Sequence, residues 1–177
     1  MSHIITSTRL IAILLLSSSG LAAQDLDREL TGKVMTGYQG WFRAEGDGSK
    51  ERWRHYSLRG KFEPGHCSID FWPDLREAGE DERFKTAFRH RDGRVAEVFS
   101  SYHQKTVDRH FRWMKDYGLD GAFVQRFART LRRRGEDDRV LMNCRAAATK
   151  HGRLWSVLYD LSGLREGQMD AVKSDWR

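Results

Sequence analysis

Residues 106–160 read TVDRHFRWMKDYGLDGAFVQRFARTLRRRGEDDRVLMNCRAAATKHGRLWSVLYD, and the apolar residues in this stretch alternate between two spacings. Over residues 106–117, Val107, Phe111 and Met114 recur at helical spacing with His110 and Trp113 beside them. Thr106 is placed to cap the start and Gly118 to close the end in the left-handed region. A short apolar run follows at 121–125, of strand length. Residues 136–151 form a second helix. Its first-turn acids oppose the helix dipole, Val140, Cys144, Ala147, Ala148 and His151 share one face, and Gly152 ends it. Residues 155–159 (WSVLY) lack polar alternation, as expected of a strand covered on both faces. A third helix is expected from about residue 165, with Met169, Val172 and Trp176 on one side. Alternating helices and strands of this length predict an α/β fold with a parallel sheet.

Upstream of this stretch, a further strand is expected at 33–38 (KVMTGY). A long insertion runs from there to about residue 104. Gly46–Ser49 (GDGS), Pro64-Gly65 and Asp92-Gly93 mark turns within it, and 95–99 has the character of a short extra strand. The first 23 residues stand apart. Arg9, the apolar run LIAILLL at 10–16 and the small residues SSSGLAA at 17–23 have the order of a secretory signal peptide. That run is shorter than the ~20 apolar residues a membrane span needs. The expected product is exported, periplasmic or extracellular, with no stable membrane anchor, and its mature domain is residues 24–177.

Composition narrows the class further. The chain carries a net charge of +6 and a pI near 9.5. Its arginines are dispersed, and the densest cluster (RTLRRRGEDDR, 129–139) contains three acids. This is the pattern of a solvated loop entering a helix, and no nucleic-acid partner is expected. Cys67 and Cys144 have no zinc-ligand spacing, and the histidines form no HxH or HExxH pair, so neither metal nor cofactor is expected. Export permits a bridge between the cysteines, but Cys144 lies on the apolar stripe of its helix and is expected as a buried thiol.

In parallel β/α folds, ligands meet the C-terminal strand ends and the loops after them. These positions hold Tyr38, Gln39 and Trp41 after the first strand and Gln125, Arg126 and Phe127 after the second. Tyr159 and Asp160 stand at the third. The long first loop adds Trp53, His55, Asp70, Trp72 and Asp74. Flat aromatic rings beside carboxylates, amides and guanidinium groups suit a sugar, whose C–H faces stack and whose hydroxyls hydrogen-bond. Each aromatic can equally be a packing residue, and Asp74 after Pro73 can simply cap a turn.

The segments VMTGYQGWF (34–42), GDGS (46–49), IDFWPDL (69–75), Ser100-Ser101, HFRWMKDYGLDGAFVQRF (110–127) and GRLWSVLYDLSGL (152–164) resemble, in this order, bacterial glycoside hydrolase family 71/99-like proteins. Some of these are labelled xylosidase/arabinosidase. The resemblance runs from about residue 30 to the last residue. It implies a (β/α)8 TIM barrel acting on glycosidic bonds of polysaccharide or glycan. Family 99 contains endo-acting α-mannosidases and mannanases, and family 71 α-1,3-glucanases. By motif position, Tyr38 and Trp41 look like the aromatic pair at the first strand end, Asp70 and Asp74 like polar groups of the following loop, and Asp160 like the strand-end acid of family 71. The substrate-binding set expected on this basis is Tyr38, Gln39, Trp41, Asp70, Asp74, Gln125, Arg126, Tyr159 and Asp160.

The family 99 catalytic glutamates lie on later strands and have no counterpart here. A full barrel takes ~250 residues, more than the 177 of this chain, so about three βα units are expected, with two open sheet edges. Glycoside hydrolysis normally needs two carboxylates, ~5–9.5 Å apart depending on stereochemistry. Asp160 is the candidate for one. The expectation is therefore the N-terminal part of a secreted hydrolase, inactive as an isolated chain. The alternatives are a non-catalytic carbohydrate-binding protein on a partial barrel and a half-barrel completed by dimerisation.

Overall fold

The computed structural model describes residues 30–131, 135–165 and 167–176; residues 1–23, where a signal peptide is expected, and Arg132–Arg134 lie outside them. In chain order the elements are β1 (Met35–Tyr38), β2 (Phe84–Arg89), β3 (Val95–Val98), α1 (Gln104–Asp116), β4 (Gly121–Phe127), α2 (Glu136–His151), β5 (Leu154–Asp160) and α3 (Met169–Trp176). β1, β4 and β5 form a parallel sheet in that spatial order, and β2 and β3 form an antiparallel hairpin. The fold is thus mixed α/β, with β4 at the centre of its parallel sheet.

The three helices expected from periodicity are present, the third beginning at Met169. In α1, Val107, Phe111 and Met114 are buried, and Gly118 closes the helix at φ 75°. The N-terminus begins earlier than expected. His103, not Thr106, takes the capping position, and the Thr106 hydroxyl donates instead to Glu82. α2 begins on Glu136, Asp137 and Asp138 and ends at Gly152, φ 61°. Its Val140, Cys144, Ala147 and Ala148 meet α1 and the sheet in one core that also takes Tyr38, Tyr102, Ala122 and Val124. Val107 and Phe111 are fully buried there, each contributing about 1.5–3 kcal/mol on the usual burial scale. Burial pushes the Cys144 thiol up to about 12, so it stays protonated, and Cys67 is likewise a free thiol.

β4 and β5 approach closely because Gly121 lacks a side chain: a Cβ there would lie 2.1 Å from the Leu154 carbonyl oxygen. Tyr38, Ala122 and Val124 share the helix-covered side, and register carries that side to Trp155, Val157 and Tyr159. The opposite side holds Gly37, Phe123, Gln125, Phe127, Ser156, Leu158 and Asp160 by the two-residue alternation of strands. It is open. Gly37 has nothing within 4 Å of an added Cβ, and Leu158 is 50% exposed. The unbroken apolar run of β5 implied cover on both faces, but the helices supply it on one only.

The insertion between β1 and α1 builds its own aromatic core. Tyr56, Phe62 and Val98 are buried, with Phe42, Trp53, Trp72, Phe84 and Phe88 against them. Trp72 also donates to the Glu97 carbonyl at 2.7 Å, so it and Trp53 are packing residues. The expected strand near residue 95 is β3. β2, whose Phe84, Thr86 and Phe88 alternate inward, is the additional strand it pairs with, joined through the Asp92-Gly93 turn.

Two buried ionic groups pin this insertion to the α/β layer. Glu82, 2% exposed, accepts from Arg109 at 2.5 Å, from Thr106 at 3.1 Å and from the Gly79 N–H at 2.9 Å. Arg43, fully buried, donates to Asp137 at 3.1 Å, and Arg54 reaches the same carboxylate oxygen at 3.0 Å.

Candidate functional site

The C-terminal ends of β4 and β5 bring an amide and a carboxylate together on the open face. Gln125 Nε2 donates to Asp160 Oδ2 at 2.6 Å, and the Ser162 N–H donates to Asp160 Oδ1 at 2.8 Å. Ser162, through its side chain and backbone, and then Gln125 hold the Asp160 carboxyl below its ordinary range, so it is ionised at neutral pH. In that state it accepts hydrogen bonds and stabilises positive charge, and it has no proton to donate as a general acid.

Phe127, level with Asp160 in the strand register, begins a three-ring stack. Its ring lies 5.1 Å from that of Trp41 at 11°, and Trp41 lies 4.4 Å from His55 at 14°. Trp41 reaches this position through the tight turn after β1, where its N–H donates to the Gln39 carbonyl. Its indole Nε1 is buried without an acceptor among the described residues. His55 adopts φ 61°, a conformation that costs a non-glycine residue about 1–3 kcal/mol and that clusters at functional sites. Burial first, then the Arg54 and Arg43 guanidinium groups, lower the His55 pKa.

Beside the stack opens a cleft of about 640 Å³, bordered by His55, Phe127, Arg54, Arg129, Thr130 and Ser162. It therefore offers aromatic faces, hydroxyls and guanidinium groups, with the Asp160 carboxylate bonded directly to a lining residue.

Other expected residues are placed elsewhere. Tyr38 points into the helix-covered core, with its hydroxyl 2.9 Å from His110 Nδ1. Arg126 and Tyr159 neighbour Gln125 and Asp160 in sequence but project to the helix side. There Arg126 grips Asp175 through two nitrogens and pairs with Asp138, and the Tyr159 hydroxyl donates to Asp175 at 2.6 Å. Those three residues secure α3 and α2 to the sheet. Gln39 is exposed in the turn after β1, and Asp70 is exposed in the insertion. Asp74 is bound by Arg76, which holds its carboxyl down to about 2. It borders a different cleft, of about 340 Å³, between the 73–78 loop and α1.

Of the expected set, then, Trp41, Gln125 and Asp160 converge, and Phe127 and His55 complete the cluster. The cleft's arginines had no sequence signal beyond position, since Arg129 opens a basic cluster that reads as a solvated loop. No family model, curated protein or solved structure matches this chain.

Proposed function

We propose that this chain is the sugar-binding part of an exported glycoside hydrolase of the family 71/99 type, its three parallel strands belonging to a (β/α)8 plan. The carrying observation is the convergence of Trp41, Phe127 and His55 rings with the Gln125–Asp160 pair at the C-terminal ends of parallel strands. Such ends are where β/α folds bind ligands. Stacked rings suit a pyranose face, and an ionised carboxylate bridged to an amide suits its hydroxyls. From the sequence, the ordered motifs between residues 34 and 164 support the same reading, and the 1–23 segment supports export.

The chain alone binds and does not cleave. Asp137, Asp138 and Asp175 are each engaged by buried or half-buried arginines, and Glu51, which lines the cleft, pairs with Arg54; none of these four stands free as the second carboxylate that hydrolysis needs. The test combines calorimetric titration with a panel of oligosaccharides and an assay for released reducing ends. Saturable binding without cleavage, lost in Trp41→Ala, is expected; failure to retain any glycan sinks the proposal.

A further inference from the structure

The cleft beside the aromatic stack is cationic in an uneven way. Arg54 is committed to Asp137 at 3.0 Å and to Glu51 at 3.6 Å. Arg52, at the rim, pairs with Glu45 at 3.1 Å. Arg129 is different: it is exposed, it lines the cleft, and it has no ion-pair or hydrogen-bond partner among the described residues. Its side chain runs past Gly163, 3.9 Å from where a Cβ would stand. That holds the guanidinium next to the 160–163 turn, near enough for its charge to act on Asp160.

A guanidinium without an ion-pair or hydrogen-bond partner among the described residues, at a cleft read as a sugar site, is placed to discriminate between ligands. Its planar fork matches a carboxylate with two parallel hydrogen bonds, which an ammonium or hydroxyl cannot reproduce. Arg54 and Arg43 add positive charge at this end of the cleft and lower the His55 pKa, with Asp137 in partial opposition. The chain as a whole, at +6, attracts polyanions by long-range steering.

We infer that the glycan this cleft takes is acidic, a uronate-bearing saccharide whose carboxylate is gripped by Arg129 while an adjacent ring stacks on the His55 and Phe127 rings that line it. The inference rests on the sugar-binding reading above and adds the charge of the ligand. Asp160, whose two oxygens already accept from Gln125 and Ser162, repels a second carboxylate, so the uronate is to be held on the side of Arg129 away from it.

The experiment titrates the full chain with an oligogalacturonate and with its fully methyl-esterified counterpart of the same length, next to neutral gluco- and manno-oligosaccharides. The acid form is expected to bind about tenfold tighter than the ester, the size of one charge-assisted hydrogen bond. That preference is expected to vanish in Arg129→Gln, to return in part in Arg129→Lys, and to shrink with added salt. Equal binding of acid and ester overturns the uronate assignment while leaving a sugar site standing. An acid preference that survives Arg129→Gln overturns the role of Arg129. Absence of binding by every saccharide, neutral ones included, overturns the sugar-binding reading itself. Arg129 is exposed, so its variants retain the fold, and an unchanged unfolding curve verifies it.

Discussion

Gln125 and Asp160 meet diagonally across β4 and β5, with the amide nitrogen 2.6 Å from the carboxylate oxygen, and each fixes the other on the open face of the sheet. Asp160→Asn removes the charge while keeping the shape. Glycan affinity is expected to fall about tenfold, as for a lost hydrogen bond to an ionised group, with a small fall in thermal midpoint because Asn offers one acceptor oxygen to the two donors Gln125 and Ser162. Because Ser162 and Gln125 hold the Asp160 pKa below its ordinary value, affinity is expected to be flat from pH 8 down through pH 5. It should decline only in stronger acid, as the carboxylate is protonated. A decline centred near neutrality in the pH titration counts against Asp160.

His110 predicts a second pH dependence, of stability. Burial, with a contribution from Arg109, pushes its pKa down to about 4, against the partial opposition of Glu82. The folded value lies below that of the unfolded chain, so the unfolded state binds more protons between the two. Stability is whole above about pH 6.5 and is lost as pH falls toward 4, by roughly 3 kcal/mol in all. Denaturant titrations at several pH values measure the slope. His110→Asn, which cannot titrate, is expected to flatten it by that contribution.

Glu82 is the junction between insertion and helix. Glu82→Ala leaves Arg109 largely buried and unpaired and frees the Thr106 hydroxyl and the Gly79 N–H. A loss of about 3–5 kcal/mol is expected, read from the urea midpoint. A loss under 1 kcal/mol in that measurement refutes the pinning role.

Asp137→Ala makes a parallel case, because Arg43 has no exposure through which to find water. The expected loss is again about 3–5 kcal/mol. It should be accompanied by weaker glycan binding, since Arg54 loses the carboxylate that orients it at the cleft. Calorimetric unfolding together with a binding titration separates the two effects.

Gly121→Ala tests the closeness of β4 and β5. The added methyl meets backbone at 2.1 Å, which no rotamer change relieves, so the strands must part. A cost of 1–3 kcal/mol or more is expected for such overpacking. Faster amide exchange along Gly121–Phe127 is the local readout.

The sequence displayed the helices and the later strands because their apolar stripes are regular. Val107, Phe111 and Met114 repeat at one spacing, and Val140, Cys144 and Ala147 at another phase of the same period. Residues 39–83 offered no such period. They are held by contacts distant in sequence: Tyr56 to the Phe99 carbonyl, Ser100 to Asp47, Arg43 to Asp137. The strand-end rule named Trp41, Gln125 and Asp160, which the fold brings together, and also Tyr38, Arg126 and Tyr159, which it turns to the helix side. Strand alternation sends neighbours to opposite faces. Which parity faced the helices was decided by Ala122 and Val124, small enough to lie beneath α1 and α2.

The pairing of β1 with β4 joins Met35 to Gly121, whereas β4, α2 and β5 are contiguous from Gly121 to Asp160. Closing the longer loop is entropically dearer, and contacts that need it slow folding. The β4–α2–β5 unit is therefore expected to form early, with the insertion gathering separately around Tyr56 and Phe62. β1 docks last, once both halves exist. The same order in reverse makes β1 the first strand to be released when the sheet opens.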